Sequence, residues 1–162
     1  MRRTATADDV VKALSDLTDS SAISERAALQ SLGIGPNDAK VLRFLLERSE
    51  DDDPVTPRLL AEMLGITSAA TTTLIDRLAE AGWVEREPYP GDRRSIVVRA
   101  TIDPESPARR VLSVRRASVA EAASKLGATE RRIVADFLDD IARVEKQHVD
   151  SIASADIASR SI

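Results

Sequence analysis

The sequence predicts a mainly α-helical chain with one small β-hairpin, and three observations lead there. Aromatic side chains are confined to Phe44, Trp83, Tyr89 and Phe137, while 43% of the residues are apolar. The core is therefore aliphatic and alanine-rich, which suits close helix–helix packing. Apolar residues recur at helical spacing over both ends of the chain, and the period switches to alternation only between residues 83 and 100.

The elements follow in order. Residues 8–32 read as a helix carrying Val10, Val11, Leu14 and Leu17, extended by Ile23, Ala27 and Leu32, with Ser20-Ser21 a candidate kink and Gly33 and Gly35 its end. Pro36 suits the first turn of a second helix, because its missing N–H is not needed there. That helix buries Val41, Leu42, Leu45 and Leu46, with Phe44 alongside. Asp51-Asp52-Asp53-Pro54 reads as a loop. Thr56-Pro57 then supplies a hydroxyl cap and a proline for a short helix bearing Leu59, Leu60, Met63 and Leu64. Gly65 stops it, and Thr67 or Ser68 caps the next helix, which runs through Ala70, Leu74, Ile75 and Leu78 to Gly82. Residues 83–87 and 95–100 read as two strands joined by about seven residues around Pro88-Tyr89-Pro90-Gly91-Asp92. A lone hairpin is marginal in water, so it must lie on the preceding helices. Asp103-Pro104 or Ser106-Pro107 starts a long helix with Leu112, Val119 and Leu126 seven apart. Gly127 breaks it, and Thr129 caps a last helix with Ile133, Phe137, Ile141, Val144, His148 and Ile152 on one face, fraying from about Ala155.

Composition excludes several functions. With no cysteine there is no disulfide, thiolate metal site or thiol redox switch. A single histidine, His148, excludes a multi-histidine metal site within one chain. Asp51-Asp52-Asp53 fits a solvated acidic loop better than a Mg²⁺ site, since adjacent carboxylates point apart. No phosphate loop, hydrolase elbow or metal motif occurs, so neither catalysis nor a cofactor is expected. Met1-Arg2-Arg3 is followed by Asp8 and Asp9, not by an apolar run, and no stretch reaches membrane-spanning length; a cytoplasmic location is expected. The net charge of −4 argues against a general nucleic-acid coat. Residues 1–53 carry 7 basic and 11 acidic groups, 54–102 carry 6 and 6, and 103–132 carry 7 and 4, so any DNA contact must come from local clusters.

One such cluster stands out. Two short helices that cross steeply need a small residue at the crossing, supplied by Ala61, and four residues on Gly65 supplies a turn position that strains a Cβ. This is the helix-turn-helix pattern, although two core helices joined by a tight turn would read similarly. The second helix opens with Thr67, Ser68, Ala69, Thr71, Thr72 and Thr73, small or hydroxyl-bearing residues whose threonine run has poor helix propensity that packing alone would not favour. Such side chains reach base edges and thymine methyls in a major groove, with Arg77 a turn later. Asp92-Arg93-Arg94 at the hairpin tip, with Arg86 on its first strand, suits a narrow minor groove. The expected fold is a winged helix-turn-helix over residues 36–102, flanked by dimerisation helices at 1–35 and 103–162.

These residues also resemble the MarR family of bacterial transcription regulators. The likeness rests on Leu60-Ala61-Glu62-Met63-Leu64-Gly65, Thr72, Leu74-Ile75-Asp76-Arg77-Leu78, Ala81-Gly82-Trp83-Val84-Glu85-Arg86 and Gly91-Asp92-Arg93-Arg94 with Val97 and Val98. It implies that the helix from Ser68 is the recognition helix, that Arg94 enters the minor groove and that Asp92 holds the wing. It also implies a homodimer built from the terminal helices, often released from DNA by a small ligand. Thr73 departs from the family pattern, where many members carry arginine, and Ala100-Thr101-Ile102-Asp103-Pro104 replaces the usual Leu-Thr-x-x-Gly stretch.

The expected activity is thus sequence-specific binding of duplex DNA to regulate transcription, as a repressor. Val10, Leu14, Leu17, Ile133, Phe137, Ile141 and Val144 would form the dimer interface. Two-fold symmetry then sets the recognition helices about 34 Å apart on a pseudo-palindrome. Arg58, Arg77, Arg86, Arg93 and Arg94 are candidate phosphate contacts; Arg109-Arg110 and Arg115-Arg116 could be a further phosphate face, a solvated one, or partners of the acidic N-terminal half. A small-molecule effector could sit among Leu14, Leu17, Leu42, Leu112 and Val119, residues that also suit ordinary core. The competing reading is a winged helix used for protein–protein assembly, which predicts an apolar second helix.

Overall fold

The structure, a computed structural model, describes residues 4–48, 54–89 and 92–159, with the side chains of 92–95, 150 and 153–159 left aside. The expected loops at Asp51-Asp52-Asp53 and Pro90-Gly91, and the basic start Met1-Arg2-Arg3, lie outside the described residues. In chain order the elements are α1 (Ala7–Leu32), α2 (Pro36–Glu47), α3 (Pro57–Leu64), α4 (Ser68–Glu80), β1 (Val84–Tyr89), β2 (Asp92–Ala100), α5 (Pro107–Ser124) and α6 (Ala128–Ser159). They group into two compact units, Met1–Arg115 and Arg116–Ile162, with α5 crossing the boundary.

Helix starts obey local chemistry throughout. Thr6 and Asp9 form a reciprocal cap on α1: the Thr6 hydroxyl accepts from the Asp9 N–H at 3.2 Å, and the Asp9 carboxylate accepts from the Thr6 N–H at 2.9 Å. The helix then runs unbroken through Ser20-Ser21, where the sequence suggests a kink; Thr18 and Ser15 return their hydroxyls to carbonyls four residues back. Pro36 opens α2 as expected, and the Asp38 carboxylate accepts from the Gly35 N–H at 2.9 Å. Of the two candidate starts for α5, Pro107 is the one used: the Ser106 hydroxyl accepts from the Arg109 N–H. At α6 the expected Thr129 cap lies inside the first turn. Glu130 does that work by accepting from the Gly127 N–H at 2.7 Å, and the helix continues to Ser159, past the expected fraying point.

The core of the first unit is aliphatic, as the scarcity of aromatics requires. Ala39, Val41, Leu42 and Leu45 of α2 meet Val55, Leu60 of α3, Leu74, Ile75 and Leu78 of α4, Val84 and Val98 of the hairpin, and Leu112 of α5. Phe44, Leu46 and Trp83 pack at its edge. Leu29 and Leu32 bring the end of α1 onto this core, and Glu25 of α1 pairs with Arg43 of α2 at 2.7 Å. Leu42 and Leu112, candidate pocket residues on sequence, are closed into the core and cannot line an open cavity.

The hairpin is longer than its sequence pattern. Pro88 and Tyr89 continue β1, and Asp92 already begins β2, so the expected seven-residue loop is mostly strand. Proline is tolerated because a two-stranded ribbon is all edge. Pairing runs antiparallel from Val84↔Ala100 to Pro88↔Ile96, then jumps to Tyr89↔Asp92. Residues 93–95 therefore have no residue opposite them in β1. The ribbon is anchored at its base: the Val98 N–H donates to the Val55 carbonyl at 2.8 Å, and Thr101 donates from its hydroxyl to the Gly82 carbonyl at 2.7 Å.

Outside that core, the terminal helices present apolar side chains to solvent. On α1, Val10 and Leu17 are exposed and Leu14 is half-buried; on α6, Ile133, Phe137 and Val144 are exposed and Ile141 is half-buried. None of the described side chains of α6 is buried. No helix of the described residues is long and apolar enough to cross a membrane.

Candidate nucleic-acid interface

The candidate interface is built on α3, the turn after it and α4. Thr56 caps α3 through its hydroxyl and Leu60 is fully buried beneath it. Gly65 then adopts φ +66°, a left-handed conformation that costs any L-residue with a Cβ about 1 kcal/mol, so the glycine allows a sharp turn. An ideal Cβ there would meet nothing within 4 Å, so the constraint is torsional and not steric. Thr67, not Ser68, is the cap of α4, with its hydroxyl accepting from the Ala70 N–H at 3.2 Å.

Helix α4 has two unlike faces. Thr71, Leu74, Ile75 and Leu78 are buried; Thr67, Ser68, Ala69, Thr72, Thr73 and Arg77 are exposed. The inward position of Thr71 corrects the sequence expectation that it reaches a groove: at 1% exposure it is core, and its hydroxyl is satisfied by the Thr67 carbonyl at 3.0 Å. It shares a stripe with Leu74, Ile75 and Leu78 at helical spacing, which a run of three threonines conceals. Thr72 and Thr73 make the same bond outward in the helix, donating to the Ser68 and Ala69 carbonyls at 3.0 and 3.1 Å.

The cations around this face are organised by carboxylates. Arg77 reaches Asp38 at 2.5 Å, and Asp38 is buried while Arg77 stays 59% exposed, so the pair ties α4 to the start of α2. Arg86 of β1 pairs with Asp76 of α4, joining the wing to the helix. Arg99 meets Glu87 across the ribbon at 2.7 Å, and Arg58 meets Glu62 one turn on in α3 at 2.9 Å. The Glu62 carboxylate, by hydrogen bond and charge, raises the pKa of Arg58 above its ordinary value. Every described arginine side chain between residues 54 and 102 is thus in an ion pair. Arg93 and Arg94 follow Asp92 in β2, between the residues that face Tyr89 and Pro88 of β1.

Sequence reasoning missed Asp38 and Asp76. Asp38 carried a local signal, an acidic residue in the first turn of a helix opened by proline. Asp76 carried none, because its partner is ten residues away across a helix-to-strand corner. Among the described residues there is no cluster of three or more histidine, cysteine or carboxylate side chains able to hold a metal.

A short helix, a left-handed glycine turn, an exposed second helix and a hairpin anchored beside it define a winged helix-turn-helix domain. Comparison with known proteins adds a likeness to that domain: residues 32–95 match the model of the MarR family. An uncharacterized HTH-type transcriptional regulator of Bacillus subtilis, YcgE, is 40% identical over 73 residues, which are 45% of this chain and 45% of that one. The chain thus aligns with less than half the length of that relative. Among solved structures, a transcriptional regulator from Thermotoga maritima matches with a TM-score of 0.56 at 23% identity, over 88% of this chain and 98% of that one. An S. aureus MepR mutant bound to an oligodeoxyribonucleotide matches with a TM-score of 0.53 at 16% identity, over 87% and 99%. At these identities the two structures establish a shared fold.

Proposed function

We propose that this chain regulates transcription by binding duplex DNA as a homodimer, with α4 in a major groove and the β1–β2 wing at the adjacent minor groove. The observation that carries this reading is the outward face of α4: Ser68, Ala69, Thr72 and Thr73 are exposed and small or hydroxyl-bearing, on a helix braced on its other face by Leu74, Ile75 and Leu78. The S. aureus protein of the same fold is bound to an oligodeoxyribonucleotide, which supports nucleic-acid binding as the use of this fold.

Affinity arises from two sources. Guanidinium donors, led by Arg93 and Arg94 on the wing, neutralise phosphates, so binding weakens steeply with salt. Arg77 and Arg86 contribute mainly by fixing α4 to α2 and the wing to α4, since each is already held by a carboxylate. The exposed apolar faces of α1 and α6 are covered by a second copy, which spaces the two recognition helices about one DNA turn apart. Winged helices also serve as protein–protein modules; an apolar α4 face would favour that, and this face is polar.

The test is a titration of the purified chain against random genomic fragments at two salt concentrations, with sedimentation run in parallel. Binding that falls with salt, by a species of twice the chain mass, supports the proposal. Salt-independent or absent binding removes it.

A further inference from the structure

We infer that Thr72 and Thr73 make this chain a reader of A·T base pairs, acting through their hydroxyl lone pairs and methyl groups; this rests on α4 entering the major groove. The reasoning begins with where each hydroxyl proton goes. Both side chains donate to the carbonyl four residues back, Thr72 to Ser68 and Thr73 to Ala69. A threonine hydroxyl has one proton and two lone pairs. With its proton held inside the helix, each oxygen faces solvent as an acceptor. The same bond fixes χ1, because threonine is stiff about Cα–Cβ, so the methyl group takes another staggered position with little freedom left to lose on binding.

An acceptor beside a methyl group has one best match among base pairs. In the major groove adenine offers its N6 amino donor and thymine its C5 methyl, both on the same pair. Cytosine offers a donor without a methyl, and guanine offers only acceptors, which a committed hydroxyl cannot satisfy. The usual guanine reader is an arginine or lysine, and the N-terminal stretch of α4, from Ser68 to Thr73, contains neither. Ala69, exposed on the same face, adds a further methyl. Thr71 makes the identical backbone bond but is buried, so it takes no part.

The experiment has two arms. First, the intact protein selects sites from a randomised duplex pool. The expected half-site carries A·T pairs at the two neighbouring positions whose preference changes in Thr72→Ser and Thr73→Ser. Second, deoxyuridine replaces thymidine at those positions, deleting only the methyl. Wild type loses about fourfold in affinity per methyl, the size of one buried methyl contact, whereas the serine variants, which keep the hydroxyl and lack the methyl, lose little more. Thr72→Val and Thr73→Val keep the deoxyuridine penalty and lose discrimination against G·C. A selected site with G·C at those positions, or a deoxyuridine penalty unchanged in the serine variants, overturns this inference while leaving DNA binding intact. Recovery of no duplex at all overturns the DNA-binding proposal itself and this inference with it.

Discussion

Replacing Asp38 should loosen α4 without touching its outward face. The Asp38 carboxylate does two things at once: it accepts from the Gly35 N–H at 2.9 Å, capping α2, and it holds the Arg77 guanidinium of α4 at 2.5 Å. The cap is worth about 1 kcal/mol. Breaking a fully buried pair costs several kcal/mol because one charge is stranded. Here Asp38 is 6% exposed at its side chain but Arg77 is 59% exposed, so the arginine left behind recovers water and the loss is nearer the surface value, about 1 kcal/mol. Asp38→Ala should therefore destabilise the fold by about 2 kcal/mol. Asp38→Asn, which retains a capping oxygen, should cost about half of that. The assay is urea unfolding followed by circular dichroism. With a slope of about 2 kcal/mol/M, the alanine variant's midpoint falls by about 1 M with the slope unchanged. A midpoint equal to wild type for Asp38→Ala would mean that the pair does not brace α4, and the positional role given to Arg77 would fall.

Four further outcomes are expected. Arg94→Ala lowers operator affinity by about 1–3 kcal/mol per half-site and flattens the salt dependence; fluorescence anisotropy with a labelled duplex showing neither change would remove the wing from the interface. Ile133→Glu combined with Phe137→Glu keeps helical circular dichroism, because both side chains are exposed, and converts the proposed dimer to a monomer in sedimentation; a dimer persisting in the variant would place the interface elsewhere. Gly65→Ala lowers stability by about 1 kcal/mol through its positive φ alone, read by thermal unfolding, and no loss would contradict the left-handed turn. Thr71→Val shifts stability and leaves sequence preference alone, the converse of Thr72→Val; altered preference in Thr71→Val would put that residue at the groove after all.

The local chemistry of this chain was legible because it acts over a few residues. Thr56-Pro57 and Thr67 announce helix starts, Gly65 and Gly82 announce turns, and Leu74, Ile75 and Leu78 announce a buried stripe, each through a hydrogen bond or a torsion within one turn. The same rules misjudged Thr71, because three consecutive threonines look alike until packing turns one inward, and they ended the strands early, because Pro88 reads as a breaker when no partner strand is known. They also named Arg77 and Arg86 as candidate phosphate contacts without their carboxylate partners, Asp38 and Asp76.

The winged helix-turn-helix and its hydroxyl-rich second helix were thus determined by the sequence itself, through periodicity, caps and a resemblance concentrated between residues 60 and 98. Only the tertiary structure decided which cations are held and by what: Asp38 meets Arg77 across 39 residues of chain, and Asp76 meets Arg86 around a corner. Ion pairing depends on distance in space, whereas helix and strand signals depend on distance along the chain, and folding is what converts one into the other.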